Sequence, residues 1–223
     1  MTKNIILMEI ETNPNIGLFM FANDKFVLAG KNFNSSQIEE IKKTLNVPVH
    51  QISILGTDLI GVFIAGNNEK IIIPNIYSYE LEELKEIMKQ YDIEIIEIED
   101  KINTFGNSIT LTKDSVLIGS EINKNLKEKI EKETKLKTFQ IKNEQYTGAG
   151  SIFLYANSKL FGSQELQEDE VKEIISEISG VGSINAGSPF IASGAIGNKF
   201  GIILGSTSST IEIQNLVEAL DYI

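Results

Sequence analysis

The sequence has 223 residues and no cysteine. Disulfides, thiolate nucleophiles and cysteine-based metal sites are thereby excluded, and the absence fits a reducing, intracellular compartment. Arginine is missing too, since all 20 basic residues are lysines. Arginine is the usual fork-shaped reader of phosphate and guanine. Acidic residues number 31, and the net charge is −11. Such a chain is poorly suited to hold RNA or DNA through its general field. It is better suited to a basic protein partner, although the charge also serves plain solubility. The one histidine, His50, sits in a strand near Pro48. With cysteine absent it cannot build a metal site and is read as structural. A Ser–His–Asp set can be drawn on paper with Ser53 or Asp58, as in most chains, and carries no weight. No apolar run approaches the roughly 18 residues a membrane helix needs, and the run before Glu9 is too short for a signal peptide.

What is present is a repeat. Ala156-Asn157-Ser158-Lys159 lies between two short apolar runs and reads as a tight hairpin turn. Similar text stands at 20–30 and 196–205. Anchored on a small residue that opens an apolar run, five segments align, from Gly17, Gly61, Gly106, Gly150 and Ala192, at intervals of 44, 45, 44 and 42 residues. Each unit begins with a β-branched strand: 4–10, 47–53, 93–98, 136–141 and 180–185. A hairpin follows. An amphipathic helix closes the unit, over 35–45, 78–91, 123–134, 168–178 and 209–223, with stripes such as Leu81, Leu84 and Met88. Ser209 followed by Glu212 is a capping-box pattern.

One unit of about 44 residues cannot bury its apolar face alone. An open stack of five would need polar caps, yet the first strand is rich in Ile and Leu and the last helix is amphipathic to its end. The expected fold is therefore α/β, a closed ring of five pseudo-symmetric ββ-strand-plus-helix repeats, a five-bladed α/β propeller. It forms one domain over 1–223, with repeats near 1–46, 47–91, 92–135, 136–179 and 180–223.

Nucleotide motifs are lacking. "GVGSIN" at 180–185 has Asn185 where a third glycine belongs, and Gly30-Lys31 lacks the upstream glycine of a phosphate loop. Asn34-Ser35-Ser36 reads as a helix cap before a glycosylation site. The hydroxyl-rich "GSTSST" at 205–210 reads as capping, with phosphate binding at its amides as the alternative. No cofactor is expected.

Several motifs agree in order and spacing with one family. "NPNIGLF" (13–19), "GTDLIGVFIAGNNEKIIIPN" (56–75), "NTFGNSI" (103–109), "INAGSPFIASG" (184–194) and "STSSTIE" (206–212) resemble the archaeal and eukaryotic translation initiation factor 6 family end to end. The resemblance implies the pentein fold, a ring of five α/β modules. It implies a cytoplasmic, non-enzymatic factor, expected to be a monomer. Such a factor binds the large ribosomal subunit on its intersubunit face and blocks premature joining of the small subunit. Its main contact would be a basic ribosomal protein near the sarcin–ricin loop, with little direct RNA readout and no membrane. A non-catalytic pentein scaffold for another basic protein is the alternative. Pentein relatives that hydrolyse or transfer amidino groups use Cys and His, and this chain lacks the nucleophile. The eukaryotic members' C-terminal tail is not expected after Ile223. Two departures stand out: Ala186 replaces a frequent basic residue, and the third hairpin has Thr112-Lys113-Asp114 where Asn is usual.

The candidate contact residues follow from symmetry and from the resemblance together. Five equivalent hairpin turns should form a polar, exposed platform at one end of the ring. Its members are Thr112, Lys113 and Asp114, then Asn157 and Ser158, then Asn198, Lys199 and Phe200. Asn67 and Asn68 are contributed by the second repeat.

Overall fold

A computed structural model describes residues 4–142, 145–167, 169, 174 and 177–223. The chain opens with β1 (Asn4–Met8). Four further groups of three strands follow, each a hairpin and a return strand. They are β2 (Met20–Ala22), β3 (Val27–Ala29) and β4 (Val49–Gln51); β5 (Ala65–Gly66), β6 (Lys70–Pro74) and β7 (Glu94–Ile98); β8 (Ile109–Leu111), β9 (Ser115–Ile118) and β10 (Lys137–Gln140); and β11 (Phe153–Ala156), β12 (Lys159–Ser163) and β13 (Ile178–Gly182). A last hairpin, β14 (Ala195–Asn198) and β15 (Gly201–Gly205), completes the order. These strands make five three-stranded sheets. The arrangement is the expected α/β pentein ring.

The strand at the head of each repeat does not stay in its own unit. Each sheet takes a hairpin from one repeat and the opening strand of the next, paired parallel to the hairpin's second strand, as in β3–β4 and β6–β7. A parallel return needs a crossover of a dozen or more residues, and the helix supplies it. Four long helices are described: α1 (Ser35–Leu45), α2 (Ser78–Lys89), α3 (Lys124–Thr134) and α4 (Thr210–Ala219). Asn34 caps α1 through a reciprocal pair with Gln37, and Ser209 does the same for α4 with Glu212. The helix expected over 168–178 falls mostly outside the described residues, and Ile178 already belongs to β13.

The fifth sheet has no following repeat to supply its third strand. It takes β1, which pairs parallel with β15 from Asn4 opposite Gly201 to Met8 opposite Gly205. The chain start thus closes the ring on the last hairpin. The middle strand of each sheet is covered on both faces, so β6 and β15 read as continuous apolar runs. Apolar clusters straddle neighbouring units; one joins Phe26 and Leu28 of the first to Leu84 and Met88 of the second.

Around the axis stand β2, β5, β8, β11 and β14. Each is entered through a single helical turn, at Ile16–Leu18, Ile60–Phe63, Phe105–Ser108, Ala149–Ile152 and Ile191–Gly194. The repeat's anchor residue sits in each turn. A Cβ added at Gly17, Gly61, Gly106 or Gly150 would strike the carbonyl oxygen of Ala192, Gly17, Gly61 or Gly106 respectively. Small anchors are therefore required because backbone meets backbone there. Gly61→Ala should cost about 3 kcal/mol or prevent folding, since backbone cannot yield as a side chain can; urea unfolding at equilibrium measures it, and parent-like stability would show the contact to be slack.

Candidate functional site

The five hairpin turns do meet at one mouth of the ring, around a depression of about 150 Å³. The first turn position is held by Asn23, Asn67, Thr112, Ala156 and Asn198. The Asn23 Oδ1 accepts from the amides of Lys25 and Phe26 at 2.9 and 3.0 Å. Asn67, Thr112 and Asn198 close their own turns in the same way. Their amide groups then reach across units. Asn198 Nδ2 donates to the Asn23 carbonyl at 3.0 Å, Asn23 to that of Asn67 at 3.0 Å, and Asn67 to that of Thr112 at 2.8 Å. Thr112 has no second donor and Ala156 has none at all, so the chain stops. The fourth turn instead places Asn157 and Ser158 in the left-handed region, at φ of 51° and 61°.

This geometry corrects the expectation of an exposed platform. Asn67, Thr112 and Asn198 are only 8%, 5% and 2% exposed, because their side chains are spent on the turn and on the neighbouring unit. Phe200 is half-buried against the first-unit core, with the Lys199 ammonium 4.9 Å from its ring centre. Asn157 Nδ2 donates to the Leu220 carbonyl at 2.7 Å. The residues that face solvent are Asn68, Lys113, Asp114, Ser158 and Lys199. Asp24, overlooked in the sequence, links two turns: it accepts from the Lys199 amide and from Asn68 Nδ2, both at 2.8 Å. Tyr155 leans into the mouth. Burial raises its phenol pKa, against hydrogen bonds from the Lys113 backbone and Ser158. Asn198→Ala should lower stability by about 1–3 kcal/mol, because the buried carbonyls of Asn23 and Leu45 both lose a donor; thermal and urea unfolding measure it.

The other end of the ring carries turns of a different kind. Leu55-Gly56 and Asn185-Ala186-Gly187 have positive φ, and their amides converge on buried carboxylates. Glu80 accepts from Leu55 and Gly56 at 2.8 Å each. Glu212 accepts from Ala186, Gly187, Ser209 and the Ser183 hydroxyl. The departure at Ala186 thus lies in an exposed turn that is held by its backbone. Burial alone would push the Glu212 carboxyl up, but the donors of Ser209, Gly187 and Ser183 outweigh it and bring it down to about 2. The "GSTSST" amides are used as well: those of Ser206, Ser208 and Ser209 go to Met8, Gly205 and Glu212. These bonds and the reciprocal pair of Ser209 with Glu212 support the reading of the stretch as a cap.

At the third and fourth units, with Phe190 of the fifth, this end opens into a cleft of about 690 Å³, whose lining includes Asn103, Thr104, Asn107, Glu121 and Tyr146. Phe190 is 41% exposed and meets Tyr146 edge-on, 5.6 Å between ring centres. Reading by hairpin symmetry missed these residues, because they lie outside the hairpin turns, in the entry turn Phe105–Ser108 and the loops around it. The signal was present in "NTFGNSI" and "INAGSPF".

His50 Nε2 lies 2.7 Å from the Tyr91 hydroxyl, and burial lowers the imidazole pKa. Among the described residues no group of three His, Cys, Asp or Glu is placed to hold a metal, and no helix is long and apolar enough to cross a membrane. The depressed pKa of Glu212 makes its contribution to stability complete above the ordinary carboxylate range near 4.5. That contribution should drain away as pH falls from there towards 2. Glu212→Gln should flatten the dependence of unfolding free energy on pH in that window; an unchanged slope would mean that Glu212 does not titrate with folding.

A sequence model described as the eIF-6 family matches residues 5–219. "Translation initiation factor 6" of Staphylothermus marinus is 29% identical over 220 residues, covering 97% of both chains. That of Saccharolobus islandicus is 29% identical over 224 residues, covering 97% of this chain and 99% of its own. Among solved structures, a mutant dimethylarginine dimethylaminohydrolase of Pseudomonas aeruginosa complexed with citrulline is similar with a TM-score of 0.54 at 9% identity. It covers 78% of this chain and 69% of its own. A second dimethylarginine dimethylaminohydrolase, an adduct with S-methyl-L-thiocitrulline, also has a TM-score of 0.54, at 10% identity, covering 80% and 70%. At such identity the likeness concerns the fold alone.

Proposed function

The chain belongs to the eIF-6 family of translation initiation factors, and from that premise we propose that it binds the large ribosomal subunit on its intersubunit face and keeps the small subunit from joining early. It acts in the cytoplasm, as a non-catalytic monomer. The enzyme chemistry of its fold neighbours needs a nucleophile that a cysteine-free chain does not offer, and His50 is engaged with Tyr91.

The observation that carries the docking face is the cleft end. It combines an aromatic pair, the exposed Phe190 and the partly buried Tyr146, with the amide and hydroxyl groups of Asn103, Thr104 and Asn107. Protein interfaces concentrate their binding energy in aromatic anchors of this kind, surrounded by neutral polar groups. The net charge of −11 complements a basic ribosomal protein and disfavours direct contact with RNA. The turn end offers a mixed patch of Asn68, Lys113, Asp114, Ser158 and Lys199, with Asn23, Asn67 and Asn198 buried. It is the weaker face.

Co-sedimentation with archaeal large subunits, and light scattering of subunit joining, test both statements. The parent protein should travel with free large subunits and slow their joining. Phe190→Ala should weaken binding by more than about 1 kcal/mol, roughly fivefold or more, with the melting point nearly unchanged. Lys113→Ala and Lys199→Ala should bind like the parent. The reverse pattern would move the contact to the turn end. A protein that ignores large subunits altogether would favour the scaffold reading.

A further inference from the structure

The acidic side chain that lines the cleft is built unlike the two carboxylates that hold the left-handed turns. Glu80 and Glu212 are surrounded by donors. Glu121 lies in the loop between β9 and α3, and its Oε2 is buried with no hydrogen-bond partner. The same side chain lines the 690 Å³ cleft beside Ser108, Asn107 and Ser151. Among the described residues no lysine comes within ion-pairing distance of it; Lys101 lines the same cleft and makes no such pair. We infer that Glu121 seats a lysine or arginine side chain of the docked partner protein.

The inference rests on the proposed docking face and names what that face recognises. Burial raises the Glu121 carboxyl pKa, against a hydrogen bond from Ser108. That is the mark of a carboxylate already partly desolvated before any partner arrives. Buried ion pairs are usually marginal because both ions must be stripped of water on association. Here one of the two is already partly stripped by folding. An entering ammonium or guanidinium approaches the Glu121 carboxylate from the cleft side, and it enters with the overall field of an acidic protein. A neutral hydroxyl or amide would fill the hydrogen bond but leave the charge unmatched. The cleft therefore selects a cation.

The test is binding of archaeal large subunits by the full chain across a salt series, with melting temperatures taken in parallel. Glu121→Gln keeps the volume and removes the charge. It is expected to weaken binding tenfold or more, to flatten the salt dependence, and to leave the melting temperature unchanged or raised. Phe190→Ala reports on the face independently. If Phe190→Ala weakens binding and Glu121→Gln stays within twofold of the parent, the cation seat is wrong and the face stands. If Phe190→Ala is silent while Glu121→Gln weakens binding, the seat stands and the aromatic anchor does not. If both are silent, both ideas fall. Should Glu121→Gln not fold, Glu121→Asp retracts the charge by one methylene. A severalfold loss is then expected, and parent-like binding would overturn the inference.

Discussion

Five stretches of backbone meet at the axis, four of them with no room for a side chain, and the rest of the molecule is arranged around that contact. Gly17, Gly61, Gly106 and Gly150 each present a bare Cα to the carbonyl of the preceding unit, with Ala192 completing the circle. Close packing leaves little tolerance for an extra methyl group. Once the anchors are in register, the inner strands lie side by side about the axis and the helices fall on the outside. The ring is then sealed without any extra element, since β1 replaces the strand that a sixth repeat would have supplied. Each boundary between sheets is also a boundary crossed by the chain, so neighbouring units share apolar clusters.

The two ends of the ring put polar groups to different uses. At the turn end, buried asparagines pass hydrogen bonds from the fifth unit to the first, second and third. An unmade bond there would leave a buried carbonyl bare, so those side chains are committed to the fold. At the other end, two carboxylates bind the left-handed turns of the second and fifth units. The third and fourth units have no such clamp described, and there the surface opens into the cleft with Phe190, Tyr146 and Glu121. Symmetry holds the ring together, and the departure from symmetry opens the cleft that we propose as the docking face.

Much was determined by the sequence alone. A small anchor recurring through the whole length requires five equivalent units, and the amphipathic period of 35–45 or 123–134 sets their helices within a residue or so. Composition removed thiol chemistry and argued against general nucleic-acid affinity, and separate short motifs agreed with one family. The tertiary structure alone decided which strand joins which sheet, because parallel pairing depends on where a crossover returns the chain and leaves no trace in the pattern. It alone decided that Asn67, Thr112 and Asn198 face inward. A turn-forming asparagine looks the same in sequence whether its amide meets water or the carbonyl of another unit 44, 45 or 175 residues away. The cleft and the unpartnered Glu121 oxygen were hidden for the same reason: burial and hydrogen-bond satisfaction are set by neighbours distant in the chain.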